Sequence, residues 1–537
     1  MIATESVRVG YTSTTAGQFR YFSSGSGPVV VAVSGLASSA EKNIQELQEV
    51  LRNYSIIVIE PPGIGGSSRV TVATIEEAGS SLADAIMNLT SAPRFLIGID
   101  LSAALIKATI QRLSLELIPK GIHLRADPAR AWSKAGIRAP DLEPRQDGLH
   151  LNAQWVFLRD RDQLEPENDS LPRSKGTNLS STYELNRTFV AASVNPTSFS
   201  RLWNLCSEQL VALPQDLQNE TINVASFKDL ETHLGDLSSE TKEERPRAPT
   251  IHRSVESQMR NEYVQTTSGL AHLRRAGHSG KPIFVLPTGG GSCAQFEPVI
   301  KGLARNRTVI GVDYFGNGLS DKAQGETSIS DIAREIFAIM DALEIETTDV
   351  WGSHTGACVG LEMSIQSPTR VGRLVMEGPV VVSPEFRDDI LEHYFPDFSP
   401  EGSGAHLQRI WHWRRDMFMF WPWYRRELEA ARQLGIPHPD QTHMYAVGIL
   451  ESSTTYSRAY RAAFAYPTLD RLQLLTRPSI ITAGPNDMLA NALEDTIGAI
   501  PPTLLKVIPT PTTVWWPHPD PTDAKVAMDV YLSFLND

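Results

Sequence analysis

Two halves of this 537-residue chain carry the same motifs in the same order. Thr14-Thr15-Ala16-Gly17 returns as Thr266-Thr267-Ser268-Gly269, and Pro28 as Pro282, each ahead of a short apolar run, 29–33 or 283–286. Glu60, Gly63, Gly65 and Ser67 return as Asp313, Gly316, Gly318 and Ser320 at a constant shift of 253. Gly98-Ile99-Asp100-Leu101-Ser102 returns as Gly352-Ser353-His354-Thr355-Gly356 at a shift of 254. Gly148, His150, Leu151, Trp155, Arg159 and Asp160 return as Gly404, His406, Leu407, Trp411, Arg415 and Asp416 at 256. A drift of a few residues is what loop insertions leave in a duplicated unit, because exposed loops tolerate extra chain.

The repeat predicts two homologous domains, residues 1–236 and 261–537. Between them, 237–260 is charged, contains proline, lacks apolar periodicity and reads as a linker. In each half, apolar strands alternate with amphipathic stretches; Ile329, Ile332, Ile336, Ile339, Met340 and Leu343 recur at helical spacing. Such alternation predicts α/β domains, each a mostly parallel sheet flanked by helices.

Asp and Glu total 62 against 49 Lys and Arg, a net charge of −13, and the resulting field repels polyanions. Nucleic acid and anionic membrane are therefore not expected partners. No run of eighteen apolar residues occurs and Met1–Ser6 lacks the build of a secretory signal, so a soluble cytoplasmic protein is expected. Cys206, Cys293 and Cys358 are odd in number and lack ligand spacing, which argues against a disulfide framework and a structural zinc.

The series strand, glycine-containing loop, acid-x-x-Gly-x-Gly-x-Ser, then Gly-x-x-x-Gly resembles the α/β-hydrolase superfamily over nearly all of 263–537 and most of 1–235. The resemblance implies two tandem α/β-hydrolase domains, each with a helical cap, the first truncated and degenerate. It also implies that Gly-x-x-x-Gly is the nucleophile elbow, a strained strand-to-helix bend where larger side chains clash. Aligned on that pattern, His354 stands at the tip in place of the usual serine. Ser353 reaches the tip only if the register slides and both glycines are lost; it stays as the alternative nucleophile.

By the same resemblance, the loop Gly484-Pro485-Asn486-Asp487 supplies the acid, with Glu377 as the alternative, and His518 is the last member of the triad. Asp487 would orient His518, whose other nitrogen would face His354. Backbone N–H groups of Gly289, Gly290 and Thr355 would form the oxyanion hole. His354, His518 and Asp487 also match the two-histidine, one-carboxylate set of open iron sites, but elbow and loop residues of this fold converge at hydrogen-bond distance, and no metal or cofactor is expected. Residues 380–470 fall where the superfamily carries its cap. There His406, Trp411, Arg415 and Trp421 are candidates for binding substrate, an arginine pairing with a substrate carboxylate. The competing reading makes the aromatics cap core and the arginines its wet face.

In the first half Asp100 takes the tip, Ser102 replaces the second glycine, and Asp229 aligns with Asp487 at a shift of 258. No strand remains to carry a counterpart of His518, so the first domain is expected to be catalytically silent and to pair with the second; completion of a first site by His252 is the competing view. The expected function is cofactor-independent action on a small-molecule carbonyl compound. Hydrolysis of an ester, lactone or amide comes first, with His354 as general base or nucleophile. A lyase, isomerase or C–C bond-cleaving enzyme and a non-catalytic small-molecule binder are the alternatives.

Overall fold

The computed structural model describes residues 6–91, 93–113, 120–124, 138–165, 173–174, 180–211, 221–224, 230, 259–490, 496, 501, 503–516 and 518–536. Asp229, His252 and all but the last two residues of the expected linker lie outside them. The chain forms two compact units, Met1–Val255 with Pro400–Ala405, and Glu256–Ser399 with His406–Asp537.

Unit 1 contains strands β1 (Arg8–Thr14), β2 (Gly17–Ser24), β3 (Val29–Val33), β4 (Ser55–Ile59), β5 (Phe95–Ile99), β6 (Lys120–Leu124) and β9 (Thr221–Val224) in one sheet of order β1-β2-β4-β3-β5-β6-β9; a separate two-stranded pair joins β7 (Leu164–Glu165) to β8 (Arg173–Ser174). Unit 2 contains β10 (Arg260–Thr266), β11 (Gly269–Ala276), β12 (Pro282–Leu286), β13 (Thr308–Val312), β14 (Thr348–Ser353), β15 (Val371–Glu377), β16 (Ser479–Thr482) and β17 (Leu505–Val507), in the order β10-β11-β13-β12-β14-β15-β16-β17. In both sheets an antiparallel hairpin leads into parallel strands. The central parallel strands are buried along their whole length, which is why they read as continuous apolar runs rather than as alternation. Among the described residues no helix is long and apolar enough to cross a membrane.

The repeated motifs turn out to be joints. Thr14 Oγ1 donates to Gly17 O at 3.0 Å and accepts from Ala16 N at 3.2 Å; Thr266 Oγ1 does the same with Gly269 O at 2.9 Å and Ser268 N at 3.0 Å. Each threonine hydroxyl thus closes a hairpin turn whose glycine sits at φ 138° or 135°. The second joint lies at the end of β4 and β13. Gly318 leaves the room that the Asp313 carboxylate occupies: a Cβ there would stand 2.3 Å from Asp313 Oδ2. In unit 2 that carboxylate pairs with His272 Nδ1 at 2.8 Å, and in unit 1 Glu60 accepts from Arg20 Nε at 2.9 Å. Both acids tie the antiparallel hairpin to the parallel sheet.

Burial alone would push the Asp313 carboxyl up, but the His272 hydrogen bond and the Arg274 charge hold it well below the usual carboxylate range. Removing one partner of a buried pair leaves the remaining charge less well compensated, so His272→Ala is expected to destabilise unit 2 by about 3 kcal/mol, read from the urea midpoint.

Between β15 and β16 the chain is largely helical, including Pro384–His393, Ala405–Met419, Pro439–Ser452 and Ser457–Phe464. This is the stretch in which the cap was expected. Behind the sheet of unit 2, Phe296, Trp351, Trp515 and Tyr531 belong to one apolar cluster.

Candidate active site

Strand β14 ends at Ser353 and a helix begins at Thr355, leaving His354 alone in the bend at φ 48°, ψ −104°. A side chain rarely adopts such a backbone, and it persists only where surrounding structure forces it. The forcing is visible. His354 N donates to Glu377 O at 2.8 Å, while a Cβ on Gly356 would stand 1.9 Å from Leu286 O and one on Gly352 would stand 2.2 Å from Gly356 O. No other residue type fits those two positions without moving backbone. Ser353 belongs to the strand: it is fully buried opposite Glu377, and among the described residues its hydroxyl has no hydrogen-bond partner.

The His354 Nε2 atom lies 2.9 Å from Asp487 Oδ2 and 3.1 Å from Oδ1, and Oδ1 also accepts from Leu489 N at 2.8 Å. Gly378, at φ 53°, makes space for this pair; a Cβ there would come within 2.8 Å of His354 Cδ2 and 2.9 Å of Asp487 Oδ2. Burial would lower the imidazole pKa, yet the charge and hydrogen bond of Asp487 raise it above its ordinary value. The carboxylate is moved the opposite way: burial raises it, and His354 brings it below its ordinary value. Each group therefore stabilises the ionised form of the other.

Behind the imidazole stands Trp515, edge-on at 5.7 Å between ring centroids. Its indole N–H donates to Glu377, which also accepts from Tyr531 Oη at 2.7 Å. Burial pushes the Glu377 carboxyl up to about 7, the Tyr531 hydrogen bond opposing. Glu377 is thus held by an indole and a phenol rather than by the imidazole side chain.

The expected relay from Asp487 through His518 to His354 is not what the structure forms. Asp487 engages the elbow imidazole directly, and His518 is exposed, with its ring 5.9 Å from that of His438. The loop presents Trp515 to the elbow three residues before His518. His354, His518 and Asp487 consequently do not make the ligand set considered from sequence, and among the described residues no group of three or more His, Cys, Asp or Glu is placed to hold a metal.

Facing the elbow, Gly290 sits at φ 89° beneath Tyr460, whose ring would lie 2.2 Å from a Cβ. The Gly289 N–H is taken by Thr355 Oγ1 at 3.0 Å, so it braces the loop. Thr355 is the first residue of its helix, and its own N–H has no acceptor within that helix.

A cavity of about 40 Å³ opens at this point, lined among others by Thr288, His354, Thr355, Arg414, Trp421, Tyr460 and Trp516. Of the residues expected to bind substrate, Trp421 lines it. His406 and Trp411 are fully buried in the helix Ala405–Met419 and lie apart from the lining. Arg415 pairs with Asp416 at 3.6 Å and lines a separate groove with His412 and Arg426. Its neighbour Arg414 reaches the cavity instead, because successive helical residues point about 100° apart. Gly378 and Tyr531 carry no local motif in the sequence; Arg414 stands in the crowded run of arginines and tryptophans at 411–415, which marks the right helix turn without singling it out.

In unit 1 the corresponding bend holds Asp100 at φ 57°, followed by a tight turn Asp100–Ser102 and helix Ala103–Ile110. Ser102 replaces the second glycine because its hydroxyl donates to Ser34 O at 2.7 Å, turning the close approach into a hydrogen bond.

Residues 281–408 match the family model described as alpha/beta hydrolase fold. The chain is 33% identical over 98 residues, 18% of its own length and 37% of the relative's, to a protein of Azorhizobium caulinodans named "Putative carbamate hydrolase RutD". It is 33% identical over 117 residues, 21% of this chain and 42% of the relative, to the 2-hydroxy-6-oxo-2,4-heptadienoate hydrolase of Pseudomonas putida. The chain thus spans well under half the length of these curated relatives, 37% and 42%. Among solved structures, an enol-lactonase from Burkholderia xenovorans LB400 aligns over 51% of this chain and 100% of its own, at 16% identity and a TM-score of 0.38.

Proposed function

We propose, for a chain whose C-terminal unit has the α/β-hydrolase fold, that this unit hydrolyses a small carbonyl compound, an ester, lactone or amide, with His354 as its general base and without a cofactor. The observation that carries the proposal is the Asp487 carboxylate within 2.9 Å of an imidazole that backbone strain sets on the cavity wall. Nε2 is committed to Asp487, and among the described residues Nδ1 makes no hydrogen bond, so Nδ1 is the working nitrogen.

In the first step water attacks the carbonyl carbon while its proton passes to Nδ1, and Asp487 stabilises the imidazolium that forms. Negative charge gathers on the carbonyl oxygen, where the N–H groups of Thr355 and Gly290 are the available donors. Collapse of the intermediate expels the leaving group, which takes the proton back from Nδ1. Trp515 and Gly378 position the ring; Glu377 acts through Trp515.

The same reading makes the two units copies of one ancestral domain, the first of them silent. Matching strand order, the shared hairpin turn and the Asp100 bend support it. Asp100→Asn is expected to leave turnover unchanged.

A panel of nitrophenyl esters assayed with wild type, His354→Ala, Ser353→Ala and His518→Ala tests the assignment. Loss confined to His354→Ala supports it. Equal loss in Ser353→Ala moves the chemistry to serine. No turnover by wild type on any carbonyl panel, with ligands only stabilising the protein, would identify a binder instead.

A further inference from the structure

The wall of the cavity holds a cation that has no counter-ion among the described residues. Arg414 is 7% exposed; among the described residues its Nε has no hydrogen-bond partner and its Nη1 reaches only the weak acceptor Met417 Sδ at 3.4 Å. Among the described residues no carboxylate forms an ion pair with it. Its guanidinium lies 4.7 Å from the ring centre of Tyr445 and 5.4 Å from that of Trp413; these faces hold the group in place without neutralising it. The acids nearby are already engaged: Asp487 with His354, and Glu377 with Trp515 and Tyr531. Arg432, the other guanidinium close to the site, donates to two backbone carbonyls, Met417 O at 2.7 Å and Asn486 O at 2.6 Å.

A buried charge left unpaired is costly, and a planar guanidinium offers a fork that matches a carboxylate. Thr288 adds a second unmet polar group on the same wall, since among the described residues its buried hydroxyl has no partner. We infer that Arg414 is the anion-recognising residue of the cavity and that the compound processed at His354 carries a carboxylate, which pairs with Arg414. The inference rests on the assignment of this cavity as the substrate site. It replaces Arg415, which pairs with the buried Asp416 and lines a separate groove.

The test compares butyrate with butyramide, probes of similar shape that differ in charge, by thermal shift and calorimetric titration on the full-length protein. Wild type is expected to bind butyrate more tightly than butyramide. Arg414→Met is expected to cut that preference about 10- to 100-fold, the loss of a charged hydrogen-bonded pair. Without ligand, the same variant should be as stable as wild type or more so, because an unpaired buried charge has been exchanged for an apolar side chain of similar length. Should it fail to fold, Arg414→Lys, which keeps charge and loses the fork, is expected to reduce the preference about tenfold.

The titrations are repeated in His354→Ala. Preference for butyrate that survives there, in a protein without turnover, separates recognition by Arg414 from chemistry at His354. Equal binding of butyrate and butyramide by wild type overturns the inference, as does an undiminished preference in both Arg414 variants.

Discussion

His354→Ala is expected to lower kcat/KM on any ester turned over by the wild type by about a thousandfold or more, within the range for loss of a general base together with the oriented water it activates. Ser353→Ala is the control that gives the number meaning. Its buried hydroxyl has no partner among the described residues, so removing it discards an unmet polar group and is expected to leave activity within about threefold and stability equal or slightly higher. The two substitutions are adjacent in sequence, yet one faces the cavity and the other the sheet. A thousandfold loss in both with an unchanged urea midpoint would move the chemistry to serine, whereas the same loss with a lowered midpoint would mean that the bend had been damaged.

Asp487→Asn is expected to lower kcat by about 10²- to 10⁴-fold and, in addition, to move the acid limb of the pH profile to lower pH. Asp487 raises the imidazole pKa above its ordinary value, against burial; with the charge gone, burial is left and the pKa falls. The base is then neutral at lower pH but works without its charge partner. The pair also affects stability. The raised His354 pKa contributes stability that is complete below the ordinary histidine pKa of about 6.5 and is lost as pH rises through the folded value; the lowered Asp487 pKa contributes stability above the ordinary aspartate value of about 3.9 that is lost as pH falls through the folded one. The wild type should gain most from the pair between about pH 4 and 6.5, and the asparagine variant should lose that maximum. An unchanged acid limb in Asp487→Asn would show that another group titrates in catalysis.

Much of the architecture was legible because the repeated residues are turn and joint residues, whose chemistry is local. A threonine that closes a hairpin, or a glycine that makes room for an acid five residues earlier, reads the same in any context. The tip at His354 was legible for the same reason: the two glycines around it leave one register. What failed was the partner of Asp487. The order elbow, acid, histidine says nothing about which side chain of the last loop reaches inward, and Trp515 occupies the space assigned to His518. Arg415 failed against Arg414 because one position on a helix turns a side chain to another face, and the dense run Trp411–Arg415 marks the turn without choosing the face.

The Gly352 and Gly356 contacts have one more implication. Since the crowding that shapes the bend is set by flanking backbone, the course of the bend does not depend on which side chain stands at its tip. Evolution is then free to rewrite reactivity there by a single codon; the bend of unit 1 holds an aspartate, Asp100, at φ 57°, where that of unit 2 holds His354 at φ 48°.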